Sequence, residues 1–175
     1  MLKRTLVLAT LSLLLSPGLV LADGPISLGL FTPVQIVDEA ESVTAFRFSL
    51  IYGKNANMTG LDLSLVGMNT GDVSGVSFTG VGIADGNFTG WQAGWLAAIT
   101  QGNMQGLQWA AYTASGPGSS GVQLGLLNTS DDFSGLQLGL VNITEVMRSG
   151  LQIGLVNIIK NKENLKFFPI VNWLF

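Results

Sequence analysis

The sequence predicts an all-β fold: an antiparallel up-and-down meander closed into a membrane β-barrel of about ten strands. Three observations carry that expectation. A short decapeptide theme recurs seven times at near-constant spacing, every second residue within it is bulky and apolar, and the chain ends in an alternating aromatic segment. A recurrent unit is the first thing to explain, because its period dictates the architecture.

The copies begin at Gly60, Gly75, Gly90, Gly106, Gly121, Gly135 and Gly150, with spacings of 15, 15, 16, 15, 14 and 15. The last two read Gly-Leu-Gln-Leu-Gly-Leu-Val-Asn and Gly-Leu-Gln-Ile-Gly-Leu-Val-Asn. Residues one, three and five after each Gly are mostly Leu, Val, Ile, Trp or Phe, and those between are polar or small. Successive strand side chains point to opposite faces, so each copy predicts a strand with one bulky apolar face. Turn formers separate the copies, as in Asp85-Gly86-Asn87 and Gly116-Pro117-Gly118. The gaps are shorter than a conventional parallel crossover and suit hairpins. A parallel β-solenoid with one coil per repeat is the competing arrangement. It lacks an evident second strand, because the stretch after the Asn of each copy reads as charged or turn-like.

Further strands are expected at 43–53, at 26–36 (weakened by Pro33) and at 167–175. Residues 1–22 read as a cleaved signal peptide: Lys3 and Arg4, a short apolar run, a Ser16-Pro17-Gly18 break, then Val20-Leu21-Ala22. Residues 23–175 then form a single β-barrel domain of strand-turn repeats.

Composition excludes several classes of function. The chain has no Cys and no His, which removes disulfides, the commonest zinc and copper sites and His-based triads. No enzymatic activity, cofactor or metal is expected. Net charge is −3 without a basic cluster, so nucleic acid is not expected as a partner.

An apolar face on an open sheet needs a cover, and neither a helix nor a second set of strands is evident. Closure with that face turned into lipid removes both edges. The inner wall then carries a polar row of Gln92, Gln108, Gln123, Gln137 and Gln152. Its small and apolar lining is Gly94, Gly125, Gly139, Gly154, Leu96, Leu127, Val141 and Val156. Such a wall is not that of an ion-conducting porin, and it suits an enclosed acyl chain. The strand facing also turns Arg47 and Asp62 inward, as an ion pair. A tight hairpin would set Arg47 opposite Ser64 and Ser49 opposite Asp62, with the two charges on a diagonal.

Phe167, Val171, Trp173 and Phe175 fall on one face of the last segment. This resembles the C-terminal recognition strand of bacterial outer-membrane β-barrels, which implies the outer-membrane assembly machinery as a partner. The wider pattern resembles uncharacterised bacterial surface-repeat proteins that carry the Gly-Leu-Gln-Ile-Gly-Leu-x-Asn signature. That resemblance implies an exported outer-membrane or surface protein of the Gram-negative cell, and no catalytic residues. The expected role is structural or lipid-associated, with membrane lipid as partner and a homo-oligomer possible in the manner of small lipid-enclosing barrels. A small diffusion pore and a surface adhesin are the alternatives.

Overall fold

The computed structural model describes residues 23–175; the expected signal peptide lies outside the described residues. Twelve strands follow one another: β1 (Gly24–Phe31), β2 (Val34–Gln35), β3 (Val43–Asn55), β4 (Met58–Asn69), β5 (Val73–Ala84) and β6 (Phe88–Thr100). After them come β7 (Met104–Trp109), β8 (Tyr112–Ser115), β9 (Ser119–Leu124), β10 (Leu127–Leu138), β11 (Val141–Ile159) and β12 (Phe167–Leu174).

Their pairing overturns the expected topology. Among the described residues every bridge along the body of the chain is parallel, and only the end pairs β1–β2 and β11–β12 are antiparallel. The chain is a β-solenoid of about nine turns, not an antiparallel meander closed into a barrel. The repeat spacing is the coil length. Arg47 pairs with Asp62, Asp62 with Ser77, Ser77 with Gln92, Gln92 with Gln108, and Gln108 with Gln123. Gln123 then pairs with Gln137, and Gln137 with Gln152.

The hairpin inference failed for a physical reason. A parallel return needs a long crossover only when the chain must climb over a sheet face. Here the return path is the far side of the same coil. The residues after each exposed corner form a second short strand: Val66–Asn69 within β4, β8 for the coil of Gln108, and the opening residues of β10 for that of Gln123. Alternation in this second strand is written in Gly, Ala, Thr and Asn, and so was read as turn.

Burial shows how a coil bends. Met58, Asp62, Ser64, Gly67 and Asn69 point inward, while Gly60, Leu65 and the Thr70-Gly71-Asp72 stretch mark bends. The Gly at the first bend is required. In its column Gly121 has φ of 127°, and a Cβ there would lie 2.0 Å from the Gly106 carbonyl oxygen.

The apolar interior is thin. Val37, Val43, Met58, Val73, Ala84 and Phe88 form one cluster; Met104, Phe133, Met147 and Ile159 form another, with Leu174 against it. Ser119 lies buried in the column between Met104 and Phe133, where its Oγ accepts from the Met104 amide and donates to the Gly116 carbonyl. Much of the remaining interior is polar.

Gly121→Val tests the bend. It should lower unfolding free energy by at least about 1–3 kcal/mol through backbone strain, read as a lower urea midpoint, while Ser120→Val beside it on the outer face should change little.

Candidate functional site: a buried ladder of ions and amides

The inward column that starts at Arg47 is the chemically distinctive part of the molecule. Parallel pairing puts equivalent residues of successive coils side by side at roughly 4.8 Å. A polar residue repeated in the column therefore meets its own kind. Gln92, Gln108, Gln123, Gln137 and Gln152 are all fully or almost fully buried. Gln108 donates its Nε2 to Gln92 Oε1 at 2.9 Å, and Gln123 to Gln108 Oε1 at 2.8 Å. Gln137 donates to Gln123 Oε1 at 2.6 Å, and Gln152 to Gln137 Oε1 at 2.7 Å. Second protons reach carbonyls across the coil, such as Ala114 O from Gln108 and Ile158 O from Gln152.

The ladder begins with charge. Arg47 and Asp62 are direct rung partners, and both are buried. Arg47 Nε donates to Asp62 Oδ1 at 2.9 Å and Nη2 to Oδ2 at 2.6 Å. Nη1 donates to Asn69 Oδ1 at 2.9 Å and to Asn55 Oδ1 and the Met68 carbonyl at 3.3 Å. Ser64 Oγ donates to Asp62 Oδ1 at 2.6 Å, and Ser77 Oγ reaches Oδ2 at 3.4 Å. The fork-to-fork geometry and the surrounding donors and acceptors offset the cost of burying both ions. The diagonal placement expected from a hairpin is replaced by direct opposition, Arg47 to Asp62 and Ser49 to Ser64.

A second amide ladder, which the sequence reading missed, runs along the other side of the coils. Asn128 Nδ2 donates to Asn142 Oδ1, and Asn142 Nδ2 to Asn157 Oδ1, both at 2.7 Å. Its signal was the Asn that closes Gly-Leu-Leu-Asn at 125–128 and Gly-Leu-Val-Asn at 139–142 and 154–157. At the polar corner a third series joins coils: the Asp72 amide to Asn57 Oδ1, Asn87 to Asp72 Oδ1, and Asn103 to Asn87 Oδ1.

The Gln row faces inward as expected, but into a filled interior and not a lumen, and most of the small and apolar residues expected beside it lie elsewhere. Leu96 is on the outer surface, 67% exposed. Leu127, Val141 and Val156 are half-buried and alternate with the inward Asn128, Asn142 and Asn157. Gly94 is buried in the inward column of Ser64 and Thr79, while Gly125, Gly139 and Gly154 stand half-buried just before the second bend; a Cβ on any of them would strike a backbone carbonyl. Phe167, Trp173 and Phe175 are exposed and Val171 half-buried on β12, the antiparallel strand that covers the last coil.

The arrangement holds its polar groups in place through hydrogen bonds between coils. Among the described residues no group of three or more His, Cys, Asp or Glu side chains comes together as a metal site. Two ion pairs on the charged rim join adjoining coils, Lys160 with Glu145 at 2.5 Å and Arg148 with Asp132 at 2.9 Å. Compared with known proteins, the chain matches no family model, no curated protein and no solved structure.

Two substitutions measure the ladder. Asp62→Ala leaves a buried guanidinium without its carboxylate and should cost about 3–5 kcal/mol, whereas Arg47→Met with Asp62→Leu should recover most of that loss in chemical denaturation. Gln123→Leu strands Gln108 Oε1 and Gln137 Nε2 and should cost about 1–3 kcal/mol for each.

Proposed function

We propose that this chain is a non-catalytic structural protein of the Gram-negative outer membrane, a solenoid that lies against membrane lipid along one apolar outer corner. One observation carries this reading: the molecule is polar inside and apolar along that corner. Leu50, Leu65, Trp95, Leu96, Leu126, Leu140 and Leu155 occupy the second bend in six of eight coils, with Gly80 and Ala111 at the other two, and each of the seven is at least half exposed. At roughly 4.8 Å per coil the row runs for about 34 Å. Phe48, Phe78 and Trp91 widen it on one flank. Exposed apolar surface of that extent calls for a partner.

Lipid suits the corner for two reasons. The polar corner, with Asp72, Asp85 and Asn87, lies on the other side of each coil, so the cross-section is amphipathic in the way interfacial elements are. Backbone groups along the corner are already paired coil to coil, as a water-poor interface requires. Export by the signal peptide expected at residues 1–22 would bring the chain to that membrane. An enclosed acyl chain and a diffusion pore both needed a barrel interior, and neither is proposed for a solenoid with a filled one.

Flotation with zwitterionic vesicles tests the reading. The chain should float with the vesicles, with a blue shift of tryptophan emission and little dependence on salt, because apolar contact and not charge drives it. Leu140→Asp with Leu155→Asp should weaken binding at least about tenfold, on the scale of losing two buried leucines, with circular dichroism unchanged. A wild-type chain that stays in the soluble fraction would remove the proposal.

A further inference from the structure

The Gln ladder has a direction and an unfinished end. Each Gln donates to the one in the preceding coil, so each Oε1 waits for a donor from the coil that follows. Gln152 is the last. Its Oε1 is buried and has no partner. Buried polar atoms without partners are rare and costly. The strand that covers it supplies backbone bonds but not this one. Asn172 stands opposite Gln152, yet its Nδ2 donates to the Asn157 and Lys166 carbonyls instead.

Other features mark β12 as a poor continuation of the spiral. It runs antiparallel, its register breaks between Gly154 and Asn157, Pro169 lacks an amide proton, and Ile170 has φ of 72°. Proline and irregularity on an edge strand are the devices that discourage further pairing.

We infer that β12 is a cap over a coil, residues 150–159, that is built to receive another parallel coil, and that the occupant β12 excludes is a second copy of this chain. The residue required at the bend identifies the occupant. A Cβ on the next strand in the Gly150 column would meet the Gly150 carbonyl, as a Cβ at Gly150 itself would lie 2.2 Å from Gly135 O. A parallel newcomer must therefore carry Gly at that point, and an amide donor two residues later for Gln152. Gly-x-Gln meets both demands, and this chain carries it at Gly90, Gly106, Gly121, Gly135 and Gly150. β12 avoids the first demand by running antiparallel, with Leu174 opposite Gly150. A fully folded copy does not present the motif at its first coil, which holds Pro25 and is partly paired with β2. The competent partner is a copy whose Gly-x-Gln repeats have not yet closed into their own spiral. The cap keeps neighbouring chains from merging while they fold.

Refolding from urea at rising concentration tests this with a chain lacking residues 163–175. The truncated chain should regain its β circular dichroism as oligomers in light scattering, while the full chain returns as a monomer. Truncated chains that refold to monomers would overturn the inference. Should the truncated chain fail to regain β structure, a disulfide lock decides. Leu151 and Trp173 face each other across β11 and β12, and the native sequence has no Cys. With both replaced by Cys, the reduced protein in urea just below its unfolding transition, where β12 can detach, should bind a labelled synthetic peptide of residues 135–147 in fluorescence anisotropy. The oxidised protein should not, and Gly135→Val in the peptide should abolish binding. Equal anisotropy in the reduced and oxidised states would count against the cap.

Discussion

The constraint on which the rest of the molecule depends is that like must stack on like. A parallel coil offers each side chain the equivalent side chain of its neighbours, one rung above and one below. For an apolar residue that is undemanding. For a buried amide it is strict, because an unanswered donor or acceptor costs more than the hydrogen bond contributes net. The Gln column satisfies it by carrying both a donor and an acceptor in one side chain. Once a Gln occupies one buried rung, the adjoining rung is held to a residue that can answer it. The near-identity of the last two repeats is the sequence record of that demand.

An amide column cannot by itself say which coil belongs next to which. Shifting a spiral by one whole repeat leaves Gln against Gln, Gly against Gly and Leu against Leu. The Arg47–Asp62 pair breaks this degeneracy, because it occurs once. Asn55, Asn69, Ser64 and Ser77 are arranged around it and nowhere else in the column. A coil placed one repeat out of register would face a buried guanidinium with an amide or hydroxyl, a far worse partner than a carboxylate. The pair lies near the start of the spiral, where it sets the count for every coil that follows.

The sequence displayed the facing of side chains well and their partners poorly. Alternation over Gly135–Leu136–Gln137–Leu138 states that Gln and Leu point opposite ways, and the structure has Gln buried with Leu outside. It does not state whether the neighbouring strand runs parallel or antiparallel, since both orientations share the same period of two. The decisive fact was the constancy of the spacing, which a hairpin meander tolerates but a solenoid requires. The second side of each coil was hidden because its inward residues are small or amidic. Gly67, Ala98, Thr113 and Asn128 occupy equivalent rungs, yet in a linear string they look like turn residues.

The two amide ladders run in opposite senses. Gln side chains donate towards the start of the chain, whereas Asn128 and Asn142 donate towards its end. Each row is a file of aligned dipoles in a medium of low polarisability, where hydrogen-bonded groups polarise one another. A single row would accumulate an axial moment as a helix does, with partial charge building at its ends. Over residues 123–157, where both rows run, their opposed senses cancel much of that moment within the cross-section. The interior can therefore be lengthened by whole coils without raising the electrostatic potential at either end, and the number of repeats is left to be set by the caps.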